Sequence, residues 1–262
     1  MAKRKEKATG SSLFETYYAS LYQARWERLK ASLLTERNPV AFSEDLTQPY
    51  YLDEASILGA KLLDVQSGDS VLDMCAAPGG KTLVLASALQ GTGHLVSNDR
   101  SANRRLRLKQ VLASHLAENL QNNITVTSHD ASRWSLYEQQ VYDRILLDAP
   151  CSSERHVLSD GKALSEWTCA RPKHLAIQQF AMLASALEAV KVGGYILYST
   201  CSINPNENEM IIEKLHAKRA GRFSLPPITL QYGEELKYGS IILPDTGQGR
   251  GPLYVCLIRR II

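Results

Sequence analysis

The chain has 262 residues and a mass of 29.1 kDa, with 44% hydrophobic and 22% charged residues, a globular composition long enough to bury a sizeable core. It holds no uninterrupted apolar run of bilayer length, and its opening MAKRKEKATG lacks the apolar stretch of a signal peptide, so the expectation is a soluble intracellular protein with no membrane partner, cytoplasmic or, in a eukaryote, mitochondrial. A net charge of +3 is too small to imply a polyanionic partner by itself, and five cysteines at wide, uneven spacing (Cys75, Cys151, Cys169, Cys201, Cys256) fit reduced thiols better than a disulfide framework or a metal site.

Lys3, Arg4, Lys5 and Lys7 form a basic tail. Residues 11–37 then place Phe14, Tyr18, Leu21, Tyr22, Leu29 and Leu33 at three- and four-residue steps, which predicts one amphipathic helix ended by Asn38-Pro39. A second helix in YLDEASILGAKLLDV turns Ile57, Leu58, Leu62 and Leu63 inward. From residue 70 short apolar runs alternate with helices. SVLDMC, GHLVSND, ITVTSHD, DRILLDAP and GGYILYSTC read as strands, and 80–89, 101–116, 173–191 and 205–219 as helices. That alternation implies an α/β, doubly wound, mostly parallel sheet. SIILPDTGQGRGPLYVCLIRR has no room for a helix and reads as a hairpin, giving seven strands with an antiparallel C-terminal strand. The expected division is a tail and helical extension over 1–45 and one catalytic domain over 46–262.

VLDMCAAPGGKT is a strand, a tight turn and a helix start, so the backbone of Cys75, Ala76, Ala77, Pro78, Gly79, Gly80 and Lys81 is placed to approach a ligand. The stretch is neither a dinucleotide fingerprint nor a triphosphate loop. Asp99, about twenty residues past the glycines, stands where a carboxylate takes ribose hydroxyls, and Asp130 and Asp148 end the next two strands. Three carboxylates would repel phosphate and suit an adenosine ligand with a positive centre, such as S-adenosylmethionine. The alternative for each is a helix cap. Lys81 stays open between holding the cofactor carboxylate and solvation in a first helical turn. Arg104 is placed to reach the adenosine, with Arg105 and Arg107 facing solvent or RNA.

DMCAAPGGKT, YDRILLDAPCSS and YSTCSINPNENE resemble, in order and separation, successive motifs of the NOL/NOP/Sun family of RNA cytosine-5 methyltransferases, from about residue 45 onward. GPLYVCLIRR is similar to the closing strand of the small mitochondrial members. The resemblance implies a Rossmann-like S-adenosylmethionine-dependent enzyme making 5-methylcytidine in RNA, with ribosomal RNA the first choice and transfer RNA the second. A partner protein is one route to targeting. It favours Lys81 as a cofactor contact, and it implies that Cys201 attacks carbon 6 of the base, Cys151 assists release and Asp148 bridges cofactor and base. Two thiols suit this chemistry: carbon 5 becomes nucleophilic only after a thiolate adds at carbon 6, and breakdown of the adduct needs a separate acid or base. DNA cytosine methyltransferases attack with a Pro-Cys thiol, so the swapped assignment stays open, as does a catalytically silent RNA-binding or assembly factor. The usual PCSG ending reads PCSS, with Ser153 in place of glycine. Asn204, Pro205 and Glu207 read as a capping box with no catalytic role, and Cys169, Cys256 and the Cys75 side chain as packing.

Overall fold

The computed structural model describes residues 10–36 and 39–262; the basic tail and Asn38 lie outside the described residues. The single helix expected over 11–37 is two: α1 (Gly10–Tyr22) and α2 (Trp26–Leu34), separated by a 3-10 turn at Gln23–Arg25. Gln23 is left-handed, with φ 49°. The break has a packing cause. Trp26 stacks on Tyr18 with ring centroids 5.4 Å apart, whereas eight residues of straight helix would separate them by about 12 Å. Folding back buries Phe14, Tyr18 and Trp26 together and leaves Leu21, expected inside, 40% exposed.

A short antiparallel ribbon, β1 (Val40–Phe42) with β2 (Tyr50–Leu52), leads into α3 (Glu54–Lys61), whose first turn is capped by Asp53 accepting from the Ala55 N–H. Ile57, Leu58, Leu62 and Leu63 all join the core beneath it. The alternating region follows as β3 (Ser70–Asp73), α4 (Gly80–Leu89), β4 (His94–Asn98), α5 (Ala102–His115), α6 (Glu118–Gln121), β5 (Ile124–Thr127), β6 (Tyr142–Asp148), α7 (Glu154–Ser159), α8 (Gly161–Ser165), α9 (Ala170–Ala189), β7 (Val190–Thr200) and α10 (Glu209–Arg219). The chain closes with β8 (Phe223–Ser224), β9 (Glu234–Glu235), β10 (Ser240–Ile242) and β11 (Leu253–Arg260).

The sheet order is β5-β4-β3-β6-β7-β11-β10-β9, with β8 pairing β11. The first five strands are parallel; β11 runs antiparallel to β7, from Tyr254 opposite Thr200 to Arg259 opposite Tyr195, and forms the expected hairpin with β10. The seven expected strands are present, and two-residue β8 and β9, too short to show a hydrophobic alternation, raise the sheet to nine. Along β6 and β7 successive residues serve opposite layers. Ile145, Leu147, Ile196 and Tyr198 pack with α1, α2, α9 and α10, while Leu146 and Leu197 pack with α3, α4 and α5. No helix among the described residues is long and apolar enough to cross a membrane.

Chain order reverses between β3 and β6: the path runs outward through β4 and β5, then returns to pair β6 with β3. A cleft opens at such a switch point because the loops beyond the two strand ends diverge to opposite sides.

Candidate active site

The carboxyl edge of the parallel strands gathers the expected residues in spatial order. Asp130 follows β5, Asp99 follows β4, the Cys75–Lys81 stretch follows β3, Asp148 ends β6 with Cys151 three residues on, and Cys201 follows β7. Two cavities occupy the rim, and Cys75 lines both. One of about 430 Å³ is walled by Asp99, Arg104, Asp130, Pro150 and Met182; the other, of about 130 Å³, by Asp73, Ala76, Pro78, Lys81 and Asp148. The glycine loop is required by its geometry. Gly79 has φ 120°, and a Cβ there would stand 3.0 Å from Val111 and 3.1 Å from Leu108, a conformation and a fit open to glycine alone.

The polar atoms of the rim fit an adenosyl sulfonium with an amino-acid tail. Asp73 Oδ1 is buried with no hydrogen-bond partner among the described residues, and Asp99 Oδ2, also buried, has only the Arg104 guanidinium at 3.4 Å, beyond good hydrogen-bond geometry. An unpaired buried oxygen costs about 1–3 kcal/mol until a donor arrives. Ribose hydroxyls would satisfy Asp99 and an ammonium Asp73. Asp73 was not singled out from the sequence, although a carboxylate inside an apolar strand is a usable signal. Burial pushes it up to about 7 against the hydrogen bond it accepts from Thr82 Oγ1 at 2.8 Å.

Other expected contacts are redirected. Arg104 Nη2 donates to the Ala77 carbonyl at 2.5 Å and so braces the glycine loop. Arg105, expected to face solvent or RNA, donates to the carbonyls of Asp99 and Arg100. Asp130 lines the larger cavity, but its Oδ1 caps the following turn, accepting from Ser132 N and Oγ, and the serine hydroxyl draws its carboxyl below the usual range. Lys81 is not a solvated lysine: its side chain is 15% exposed and lines the smaller cavity, its ammonium sits 2.6 Å from Asp148 Oδ2 with two further N–H donors, and Ser199 Oγ donates to Asp148 Oδ1 at 2.9 Å.

Beyond Asp148 the two thiols meet. Cys151 Sγ and Cys201 Sγ are 3.2 Å apart and unbridged, and Ser153 Oγ stands 3.3 Å from Cys201 and 3.6 Å from Cys151. The pair titrates unequally. The hydrogen bond from Cys151 brings Cys201 down to about 7 against burial, helped by the Ser153 hydroxyl and the Lys81 ammonium. The same bond, then burial, pushes Cys151 well up. The contact favours a single charge on the pair, a thiolate accepting from a thiol, with Cys201 the more acidic member.

Two further carboxylates hold these thiols in place, and neither role was read from the sequence. Glu154, fully buried, accepts from Ile203 N at 3.1 Å and from the Tyr18 hydroxyl at 2.5 Å, so the loop after Cys201 is fixed by a residue of the Cys151 segment. Glu207, also buried, accepts from Ser152 N and Gln179 Nε2, each at 2.9 Å, so the loop after Cys151 is fixed by a residue of the Cys201 segment. This corrects the capping-box reading: Asn204 does cap, accepting from Asn206 N, but Glu207 reaches across rather than back, and the Asn204 N–H donates to Ser202 Oγ instead. Ser202 Oγ lies 2.9 Å from Glu154 Oε1 and 3.1 Å from Glu207 Oε1. A hydroxyl carries one hydrogen, so Ser202 donates to one of these oxygens and faces the other acceptor to acceptor unless the carboxyl pair holds a proton. Burial and then repulsion from Glu207 push Glu154 up to about 7, and burial pushes Glu207 up as well.

Several known proteins are similar to this chain in sequence. The 5-cytosine rRNA methyltransferase NSUN4 of Xenopus tropicalis is 34% identical over 233 residues, 82% of this chain and 57% of its own. The NSUN4 of Bos taurus is 36% identical, covering 81% and 59%. The mitochondrial tRNA (cytosine(34)-C(5))-methyltransferase of Danio rerio is 34% identical, covering 82% and 62%. The chain thus spans little more than half the length of these curated relatives. Among solved structures, NSun6 from Pyrococcus horikoshii with SFG superposes with a TM-score of 0.68 at 25% identity, over 84% of this chain and 55% of that one. A methyltransferase homolog from the same organism reaches 0.75 at 23% identity, over 96% and 95%, and shows the shared fold. A family model described as 16S rRNA methyltransferase RsmB/F matches residues 60–258, a span that takes in the glycine loop, the strand-end carboxylates, both facing thiols and their two buried carboxylates. By that match the chain belongs to the RsmB/F methyltransferase family.

Proposed function

We propose that the protein transfers a methyl group from S-adenosylmethionine to carbon 5 of a cytosine in RNA. The observation that carries this reading is the thiol pair, a lowered Cys201 in contact with a raised Cys151 beside the cofactor-sized cleft. Bound S-adenosylmethionine supplies an electrophilic methyl group on its sulfonium. Asp73, through its unpaired oxygen, and Asp99, through an oxygen that only Arg104 approaches, would hold the cofactor, and the Cys75–Gly80 backbone would line its path. Asp148, fixed by Lys81 and Ser199, accepts from the exocyclic amine of the base, an acceptor that discriminates against uracil. The target base must leave any helix it occupies to reach this depth.

Cys201 then adds as thiolate to carbon 6, and the resulting enamine makes carbon 5 the attacking atom. After methyl transfer the carbon 5 proton is removed and the Cys201 sulfur leaves as thiolate. Cys151 suits the proton removal for a reason internal to the pair. It is held protonated chiefly by its bond to Cys201; once that sulfur is a thioether the cause is gone, its acidity rises, and it can release its proton to solvent and take the carbon 5 proton as thiolate. A reaction that needs both thiols free, with their sulfurs 3.2 Å apart, also favours a reducing compartment, cytosol or mitochondrial matrix.

Ribosomal RNA is the substrate favoured by family and NSUN4 relatives, and transfer RNA is the second reading, favoured by the Danio rerio relative. Cys201→Ala is expected to abolish methylation and Cys151→Ala to accumulate a covalent enzyme–RNA band on a denaturing gel. Trapping by the Cys201 variant with turnover by the Cys151 variant reverses the roles. Bisulfite sequencing of RNA with and without the gene decides between ribosomal and transfer RNA.

A further inference from the structure

Ser153 stands at the N-cap position of α7, where a serine side chain ordinarily accepts a hydrogen bond from the helix backbone. It makes no such bond. Its backbone is left-handed, with φ 52° and ψ 59°, a conformation that glycine adopts freely and an L side chain adopts against strain. Both local preferences are therefore overridden, and the outcome is a hydroxyl turned onto the sulfurs of Cys201 and Cys151 at 3.3 and 3.6 Å. We propose that Ser153 is a third working member of the thiol pair, its hydroxyl donating to the Cys201 thiolate before attack and to Cys151 once the Cys201 sulfur is bonded to carbon.

No bond to Ser153 forms or breaks; only its hydrogen bond moves. A part-buried thiolate needs more than one donor, and the groups that bear most on Cys201 are Cys151 and Ser153 from the loop after β6, Asp148 from the end of β6 and Lys81 from α4. Asp148 opposes the thiolate, and the Lys81 ammonium is already bonded to Asp148. Ser153 is the one hydroxyl in that set. When Cys201 becomes a thioether it ceases to be a strong acceptor, and Cys151, then required as base, is the other sulfur within the same hydroxyl's reach.

The inference rests on the methyltransferase reading for its purpose, but its test uses the thiols alone. In the full chain, alkylation of Cys201 by iodoacetamide is followed against pH by mass spectrometry of the modified peptide. Ser153→Ala and Ser153→Gly both remove the hydroxyl, while only the glycine relieves the left-handed backbone. Both are expected to raise the alkylation midpoint by about one pH unit, slowing the reaction about fivefold at neutral pH. The glycine variant is expected to resist urea better than the alanine variant. An unchanged midpoint in either variant overturns the proposal, as does a shift in one and not the other, which would assign the effect to backbone geometry. A shifted midpoint in a protein that methylates no RNA would uphold the hydroxyl's role and remove the function reading instead.

Discussion

The proton on the Glu154–Glu207 pair makes folding depend on pH with a sign opposite to that of an ordinary salt-bridged carboxylate. Burial raises Glu154 from 4.5 to about 7, so between those values the folded chain keeps a proton that the unfolded chain has released. The stability so contributed is fully present below the unfolded value and is lost as pH rises through the folded one. A rise of about 2.5 units at about 1.4 kcal/mol each gives a loss of about 3 kcal/mol, undiminished by solvent because Glu154 is fully buried. The proton belongs to the pair rather than to one residue. Glu154→Gln supplies a neutral mimic at every pH: its carbonyl can accept from Ile203 N and its amide can donate toward Ser202 and Tyr18. Any fixed cost of the swap moves the whole curve, so the expected result is the change in the difference between the two proteins. From pH 5 to pH 8, urea unfolding followed by far-ultraviolet circular dichroism should show the variant gaining about 2.5 kcal/mol on the parent, the rest of the loss falling below pH 5. Asp73, also raised to about 7, cancels in that difference. Two parallel curves would mean that no proton is held there.

Arg25 lies 2.5 Å from Glu234 and 2.8 Å from Asp245, whose side chain has no exposure. Arg25→Ala strands that buried carboxylate with Arg28 alone, and calorimetric unfolding should record a loss of about 2–3 kcal/mol; a loss below about 1 kcal/mol would show the pair to be ornamental. Gly79→Ala forces a Cβ into the φ 120° loop against Val111, so titration calorimetry should find S-adenosylmethionine bound at least about tenfold more weakly, from strain of about 1–3 kcal/mol transmitted to the cradle. Unchanged affinity would refute that account of the loop.

The doubly wound sheet was legible because each strand from 70 to 200 is a short apolar run followed by a helical period, and the hairpin because the segment before β11 leaves no length for a crossover. Cys201, Cys151, Asp148 and the glycine loop were legible from motif and position, and they meet on one rim. What stayed hidden depends on which residues come together across long separations. Glu154 and Glu207 are ordinary helix-start acids by local pattern; their roles come from β6 and β7 being neighbours, which brings two loops 50 residues apart within hydrogen-bonding range. Lys81 and Arg104 sit where long cations usually reach solvent or ligand, and only the packed rim reveals that a carboxylate and a carbonyl take them first. The break at Gln23 follows from an aromatic stack that helical periodicity counts against.

The reciprocal anchoring of the thiol loops sets where this chain can be cut and recombined. Transplanting residues 151–154 into a relative would carry Glu154 away from Ile203 and deprive Ser152 of its acceptor on Glu207, and transplanting 201–207 would do the reverse. Tyr18 extends the set to the first helix, since its hydroxyl rests on Glu154 and receives the Asn204 amide. A functional chimera must therefore inherit three separated pieces from one parent: the middle of α1, the turn after β6 and the turn after β7. A crossover between any two of them divides a single hydrogen-bonded unit.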